Sequence, residues 1–234
     1  MTSAIDIWCN IFTPAGLKKY YADVEEMAVI FQGKLAGHLQ GHSPQDFLRV
    51  LDEAGVDKVI IPNGKHRSFM RQELHWNMSV EEVAAITRTD PSRYIGIYGI
   101  NPYTRMAGVR ELETAVKEHG FKGAHVHAYG FGLPVNHAMF YPFYAKCAEL
   151  GVPVEIQVGH AANLMPSAMG QPILLDDIAL YFPELKIIGL HTGWPWVEEL
   201  ISLGVKHKIR FIGATGHGPR YWDASRVRDL NSRC

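Results

Sequence analysis

Short apolar runs rich in β-branched and aromatic residues alternate along the chain with stretches whose apolar positions recur at helical spacing. That alternation is the mark of βα units around a parallel sheet. Strands are predicted over residues 4–12, 58–62, 94–100, 123–129, 152–158, 185–191 and 209–214. The helices between them have readable ends. Ser43 followed by Pro44 and Asp46 is an N-cap with proline in the first turn, and Gly55 is the stop. Ser79 with Glu82 three residues on is a capping box, and Asp90-Pro91 closes that helix. Further helices are predicted over 141–150, stopping at Gly151, over 176–182, stopping at Pro183, and over 197–206. Asp223 would cap a last short helix over 224–232.

Seven such units follow one another without a linker, a low-complexity tract or a Gly-rich dinucleotide turn after the first strand. This favours a TIM-type (β/α) barrel over a doubly wound sheet, with residues 1–234 as a single domain. The chain reaches Cys234 where an eighth unit is expected, so the barrel reads as truncated after the seventh βα unit. A missing strand leaves two unpaired edges, to be covered by a partner, such as a second copy in a homo-oligomer, or by the N-terminal segment, unless the eighth unit is simply lost.

Composition narrows the partners. Lys+Arg 23 against Asp+Glu 24 supplies no basic field for nucleic acid or an anionic membrane. Apolar runs are short, which excludes a spanning helix, and the opening MTSAIDIWCN has no charged region followed by an apolar one. Cys9, Cys147 and Cys234 are odd in number and far apart, as reduced thiols in a cytoplasmic protein would be. There is no G-x-S-x-G, P-loop, C-x-x-C or H-E-x-x-H. A small-molecule substrate is the partner that remains.

In a barrel, catalytic side chains come from the C-terminal ends of strands. Alternation in the first strand places Ile5, Ile7, Cys9 and Ile11 toward the helices and Asp6, Trp8 and Asn10 toward the interior. His125 and His127 form an H-x-H pair on one face of the fourth strand, suited either to a divalent metal or to a substrate carboxylate. The fifth strand carries Glu155 and Gln157 on one face, with His160 opening the next loop. His191 ends the sixth, ahead of a Gly and of Trp194-Pro195-Trp196, residues fit for an aromatic-walled pocket. Imidazole titrates near neutrality, which makes His191 the strongest acid–base candidate. His217 follows the seventh strand at the same rim, whereas His66 and His75 read as solvated loop residues. Cys147 reads as helix packing, and Asp176-Asp177 as a complement to a helix dipole.

With these residues in view, the chain resembles the amidohydrolase-related family, barrel enzymes that include aminocarboxymuconate semialdehyde decarboxylase and γ-resorcylate decarboxylase. The likeness rests on Ile5-Asp6-Ile7, Asp52 to Asp57, Tyr94-Ile95-Gly96, Phe121-Lys122-Gly123, Phe140-Tyr141-Pro142 and Leu185 to Ile188 leading to His191-Thr192-Gly193. It implies a divalent metal, zinc in the usual family site. That site takes H-x-H from strand one, a histidine from strand five and an aspartate from strand eight. Trp8, Asn10 and Gln157 stand at the first three positions, and the aspartate would fall beyond Cys234. An indole cannot ligate and neutral amides bind zinc poorly, so the usual cage is not expected, and no residue is assigned as a metal ligand.

The resemblance implies a hydrolase or a non-oxidative decarboxylase acting on a small carboxylated or cyclic substrate. His191 would be the acid–base group and His127 and His160 its catalytic companions. Trp8, Asn10, His125, Gln157, Trp194, Trp196 and His217 would contact the substrate. The alternative is a non-catalytic or incomplete family member that binds a ligand or a partner.

Overall fold

The computed structural model describes residues 4–21, 26, 40–207 and 211–212. Its strands are β1 (Ala4–Asp6), β2 (Val56–Pro62), β3 (Lys65–Arg67), β4 (Leu74–Asn77), β5 (Tyr94–Gly99), β6 (Ala124–Val126), β7 (Val154–Gln157), β8 (Ile187–Leu190) and β9 (Phe211–Ile212). Seven of them form one sheet in the order β1-β2-β5-β6-β7-β8-β9, each pair parallel. β3 and β4 form a separate antiparallel hairpin inserted after β2.

Each parallel strand joins the sheet at the same edge, as in a barrel. Cross-sheet contacts show that the sheet curls. β1 and β8 lie five steps apart in strand order, which would separate them by roughly 24 Å in a flat sheet at about 4.8 Å per step. The Trp8 ring, just past β1, nevertheless lies 6.2 Å from the ring of His191, just past β8. Only an open barrel, with β1 and β8 facing each other across its interior, allows that. Among the described residues no pairing joins β1 to β9.

Helices α1 (Pro14–Tyr21), α2 (Pro44–Ala54), α3 (Val80–Thr87), α4 (Arg105–Lys117), α5 (Tyr141–Leu150), α6 (Leu175–Tyr181) and α7 (Val197–His207) run between the strands. Their ends follow local rules. Ser43 caps α2 by accepting the Asp46 N–H, and Gly55 closes it in the left-handed region. Ser79 and Glu82 form both halves of the capping box on α3. The helices bury Leu112, Phe143, Tyr144, Leu175 and Ile178 against the sheet, all without solvent exposure. Cys147 is buried in the same layer, and Asp176 in the first turn of α6 pairs with Lys206 and His207 of α7. No helix among the described residues is long and apolar enough to cross a membrane.

Two expectations need correction. β1 ends at Asp6 instead of continuing to residue 12, because Asp6 Oδ1 accepts the Trp8 N–H at 3.0 Å and turns the chain out of the ladder. Asn10 therefore lies exposed beyond the strand and not on an inward face. The segment after β2 is a hairpin instead of a solvated loop, and it buries His66. His217 and the helix predicted over 224–232 lie outside the described residues.

Candidate active site

Trp8 is the hub of the barrel mouth. Its indole lies 4.3 Å from the His125 ring at the end of β6, 6.2 Å edge-on from His191 and 6.4 Å from both His66 and Trp76. His66 stacks on His127 at 3.9 Å with the rings 10° apart, and its other side meets Trp76 at 4.3 Å. His127 in turn meets Tyr129 edge-on at 5.1 Å. Residues from β1, the hairpin, β6 and β8 thus converge on one aromatic and imidazole cluster.

The hairpin brings in what sequence reasoning left out. His66 and Trp76 are cross-strand partners, as are Lys65 and Asn77. Lys65 Nζ donates to Asn77 Oδ1 at 2.7 Å and to the Met78 carbonyl at 2.6 Å, tying the base of the hairpin together. Its other flank lies against the loop after β6. A Cβ on Gly130 would sit 1.6 Å from the Arg67 carbonyl oxygen, so only glycine admits this approach. The available signal was the alternation of Lys65-His66-Arg67 and Leu74-His75-Trp76-Asn77 around the polar segment from Ser68 to Glu73.

The His66, His125 and His127 imidazoles of this cluster are held neutral near neutral pH. Burial holds His66 and His125 well below the usual imidazole range, and neighbouring imidazoles push the same way. His127 is lowered to about 3, by burial first and then by His75 and His191. The coupling of His191 to both His125 and His127 puts it in the same electrostatic neighbourhood. On β7, level with His125, Glu155 is buried and keeps its proton well above the ordinary carboxyl range, with Asp6 adding to the effect.

His66 Nε2, both ring nitrogens of His125, His127 Nδ1 and Glu155 Oε2 are buried without a hydrogen-bond partner among the described residues. Each such group costs about 1–3 kcal/mol unless something satisfies it. So many orphaned donors and acceptors in one place mark a site built for a polar ligand.

His191 sits at a strained corner. His191 and Thr192 have φ of 64° and 59°, and Gly193 continues the left-handed run at 74°. For a β-branched residue such as Thr192 this is an outlier, of a kind found at functional sites. The loop after β7 contributes a second pair. His160 is half-buried, meets Trp194 edge-on at 4.7 Å and donates its backbone N–H to the Trp194 carbonyl. Trp194 is exposed, Trp196 is half-buried, and Gln157 is buried at the end of β7.

The Amidohydrolase family model matches residues 39–230, most of the chain and every sheet strand except β1. The chain belongs to the amidohydrolase family. The chain is 27% identical over 171 residues to 2-keto-4-carboxy-3-hexenedioate hydratase of Sphingobium sp., a match covering 67% of the chain and 50% of that protein. It thus spans about half the length of that curated relative. Its fold is that of an uncharacterised TIM-barrel protein from Bordetella bronchiseptica, with a TM-score of 0.64 at 18% identity over 90% of the chain and 74% of that structure. It is also that of a dihydroxybenzoic acid decarboxylase from Polaromonas sp. JS666, with a TM-score of 0.66 at 18% identity over 98% of the chain and 82% of that structure. The Polaromonas structure holds manganese and the inhibitor 2-nitroresorcinol.

A metal cage of the family's kind does not fit the described residues of this amidohydrolase. Among them, no group of three or more His, Cys, Asp or Glu side chains is placed to hold an ion. The His66 and His127 rings lie face to face, so their planes do not converge on a common point. The first strand offers the Trp8 indole, which is packed against His125.

Proposed function

We propose that this amidohydrolase catalyses the non-oxidative decarboxylation of a small planar carboxylic acid, with His191 as its acid–base group. The observation that carries this is the meeting of Trp8, His125 and His191 from three separate strands, lined by buried nitrogens that lack partners. Trp8 offers a face on which a flat ring stacks, and the neutral imidazoles of His125 and His127 hydrogen-bond its oxygen substituents. On this reading Gln157 at the end of β7, and His160, Trp194 and Trp196 in the loops after β7 and β8, would add further substrate contacts.

Loss of CO2 leaves an electron pair on the ring carbon. The imidazolium of His191 delivers a proton to that carbon, the C–C bond electrons become a C–H bond, and His191 regains its proton from water. Trp8, His125 and His127 hold the ring so that the breaking bond stands out of its plane. Manganese in the Polaromonas relative supports a divalent cation, and not zinc in particular, as the metal this fold accepts. The donors described in this chain do not form such a cage, and no step above passes through one.

A second reading, hydration, is favoured by the relationship to the Sphingobium hydratase. There His191 would supply or remove the proton while water adds across a carbon–carbon double bond. The two separate by product. A panel of dihydroxybenzoates and unsaturated dicarboxylic acids should yield CO2 on the first reading and a hydrated acid without CO2 on the second. His191→Ala should lower kcat by about 10²–10⁴, the range for a general acid–base group. An unchanged kcat/KM in that variant removes His191 from the mechanism. Binding of 2-nitroresorcinol without turnover of any acid would establish the non-catalytic alternative.

A further inference from the structure

We propose that His66 is a substrate-contacting, specificity-determining residue, carried over the barrel mouth by the β3–β4 hairpin and offering its Nε2 to an oxygen substituent of a planar acid. The proposal rests on the reading of the mouth as a substrate site, though not on which reaction occurs there.

Three observations carry it. First, His66 is buried between His127 and Trp76, at 3.9 and 4.3 Å, within 6.4 Å of Trp8. It therefore belongs to the same cluster as the residues that converge from the strands. Second, its Nε2 has no partner among the described residues. A benzene ring would fill the same space with no polar atom to satisfy, so imidazole at this position is a liability unless a ligand completes it. Third, the hairpin is held in place. Lys65 ties its base to Asn77 and Met78, Gly130 lets its flank close on the β6 loop, and Glu26 Oε1 accepts the Met70 N–H at its tip at 2.5 Å. A side chain on so braced an element is pre-organised for recognition.

The chemistry of the partner follows. Among the described residues, His66, His125 and His127 each leave at least one buried ring nitrogen without a hydrogen bond. A neutral imidazole presents one donor and one acceptor. The group that suits them is a flat ring whose adjacent substituents both accept and donate, such as a carboxylate or nitro group flanked by hydroxyls.

The test uses 2-nitroresorcinol as the probe, with binding followed by absorbance and stability by thermal melting, on the whole chain. His66→Phe should melt at or above the wild-type temperature and bind the probe at least tenfold more weakly. His66→Gln, which places an amide nitrogen near the position of Nε2, should recover binding to within about threefold. Binding by His66→Phe within twofold of wild type overturns the proposal while leaving the site intact. A His66→Phe chain that fails to fold, or a His66→Gln chain that binds no better than His66→Phe, also overturns it. Wild-type protein that does not bind the probe overturns the reading of the site and this proposal together.

Discussion

Acidification should destabilise this protein well above the pH at which most folds fail, because its candidate site buries imidazoles in the neutral state. His66, His125 and His127 all have their proton affinity lowered in the folded protein, chiefly by burial. In the unfolded chain each returns to a pKa of about 6.5. Below that value the unfolded state binds protons the native state refuses, so stability is complete above it and falls as pH drops. At pH 5 His127, lowered to about 3, contributes about 1.5 pH units at 1.36 kcal/mol each, close to 2 kcal/mol, and His66 and His125 act in the same direction.

Glu155 acts in the opposite sense. Its folded pKa is raised, so the native state keeps a proton that the unfolded chain has lost, and acidification from pH 7 to 5 returns at most about 3 kcal/mol. The loss from His127 alone, about 2 kcal/mol, is a large share of a typical stability of about 5–15 kcal/mol. Urea unfolding followed by tryptophan fluorescence at pH 7, 6 and 5 measures it. Glu155→Gln removes the opposing contribution and should enlarge the loss. Stability of Glu155→Gln that is flat or rising between pH 7 and 5 would refute the burial of neutral imidazoles.

Other outcomes test separate parts of the structure. Gly130→Ala places a Cβ against the Arg67 carbonyl, so the hairpin must shift, and both the melting temperature and the affinity for 2-nitroresorcinol should fall; an unchanged affinity would show that the hairpin is not part of the site. Ser79→Ala removes one half of the capping box and should lower unfolding free energy by about 1 kcal/mol in urea titrations. Leu112→Ala, at a position with no solvent exposure, should cost about 2–5 kcal/mol by the same measurement. Elemental analysis of protein purified without chelator should find manganese and zinc well below one equivalent per chain, and a full equivalent would show that donors outside the Trp8 cluster complete a cage.

What was legible in the sequence was what local physics determines. All seven sheet strands, the Ser43 and Ser79 caps and the Gly55 and Gly151 stops follow from rules that act within a few residues. The position of His191 just past β8 was legible too, because the apolar run that forms the strand ends there. Asn10 was misplaced because alternation assumes an unbroken strand, and the Asp6 side chain ends this one two residues before Trp8. His66 was missed for a different reason. Its burial depends on Trp8, Gly130 and His127, which lie tens of residues away, and nothing near Lys65-His66-Arg67 reveals that they will cover it. Trp8 at a position that holds a metal ligand in the resembling family was visible in the chain, but its contact with His125 was not.

The meeting of Trp8 with histidines from the far side of the sheet can be measured without a ligand. Nuclear Overhauser spectroscopy of the folded protein should show cross-peaks from the Trp8 indole protons to the ring protons of His125 and, more weakly, of His191, in keeping with ring separations of 4.3 and 6.2 Å. His119, which precedes β6 at the opposite end of that strand from His127, should show none. Cross-peaks to His125 with none to His191 would place β1 and β8 apart, and the shared mouth would not exist.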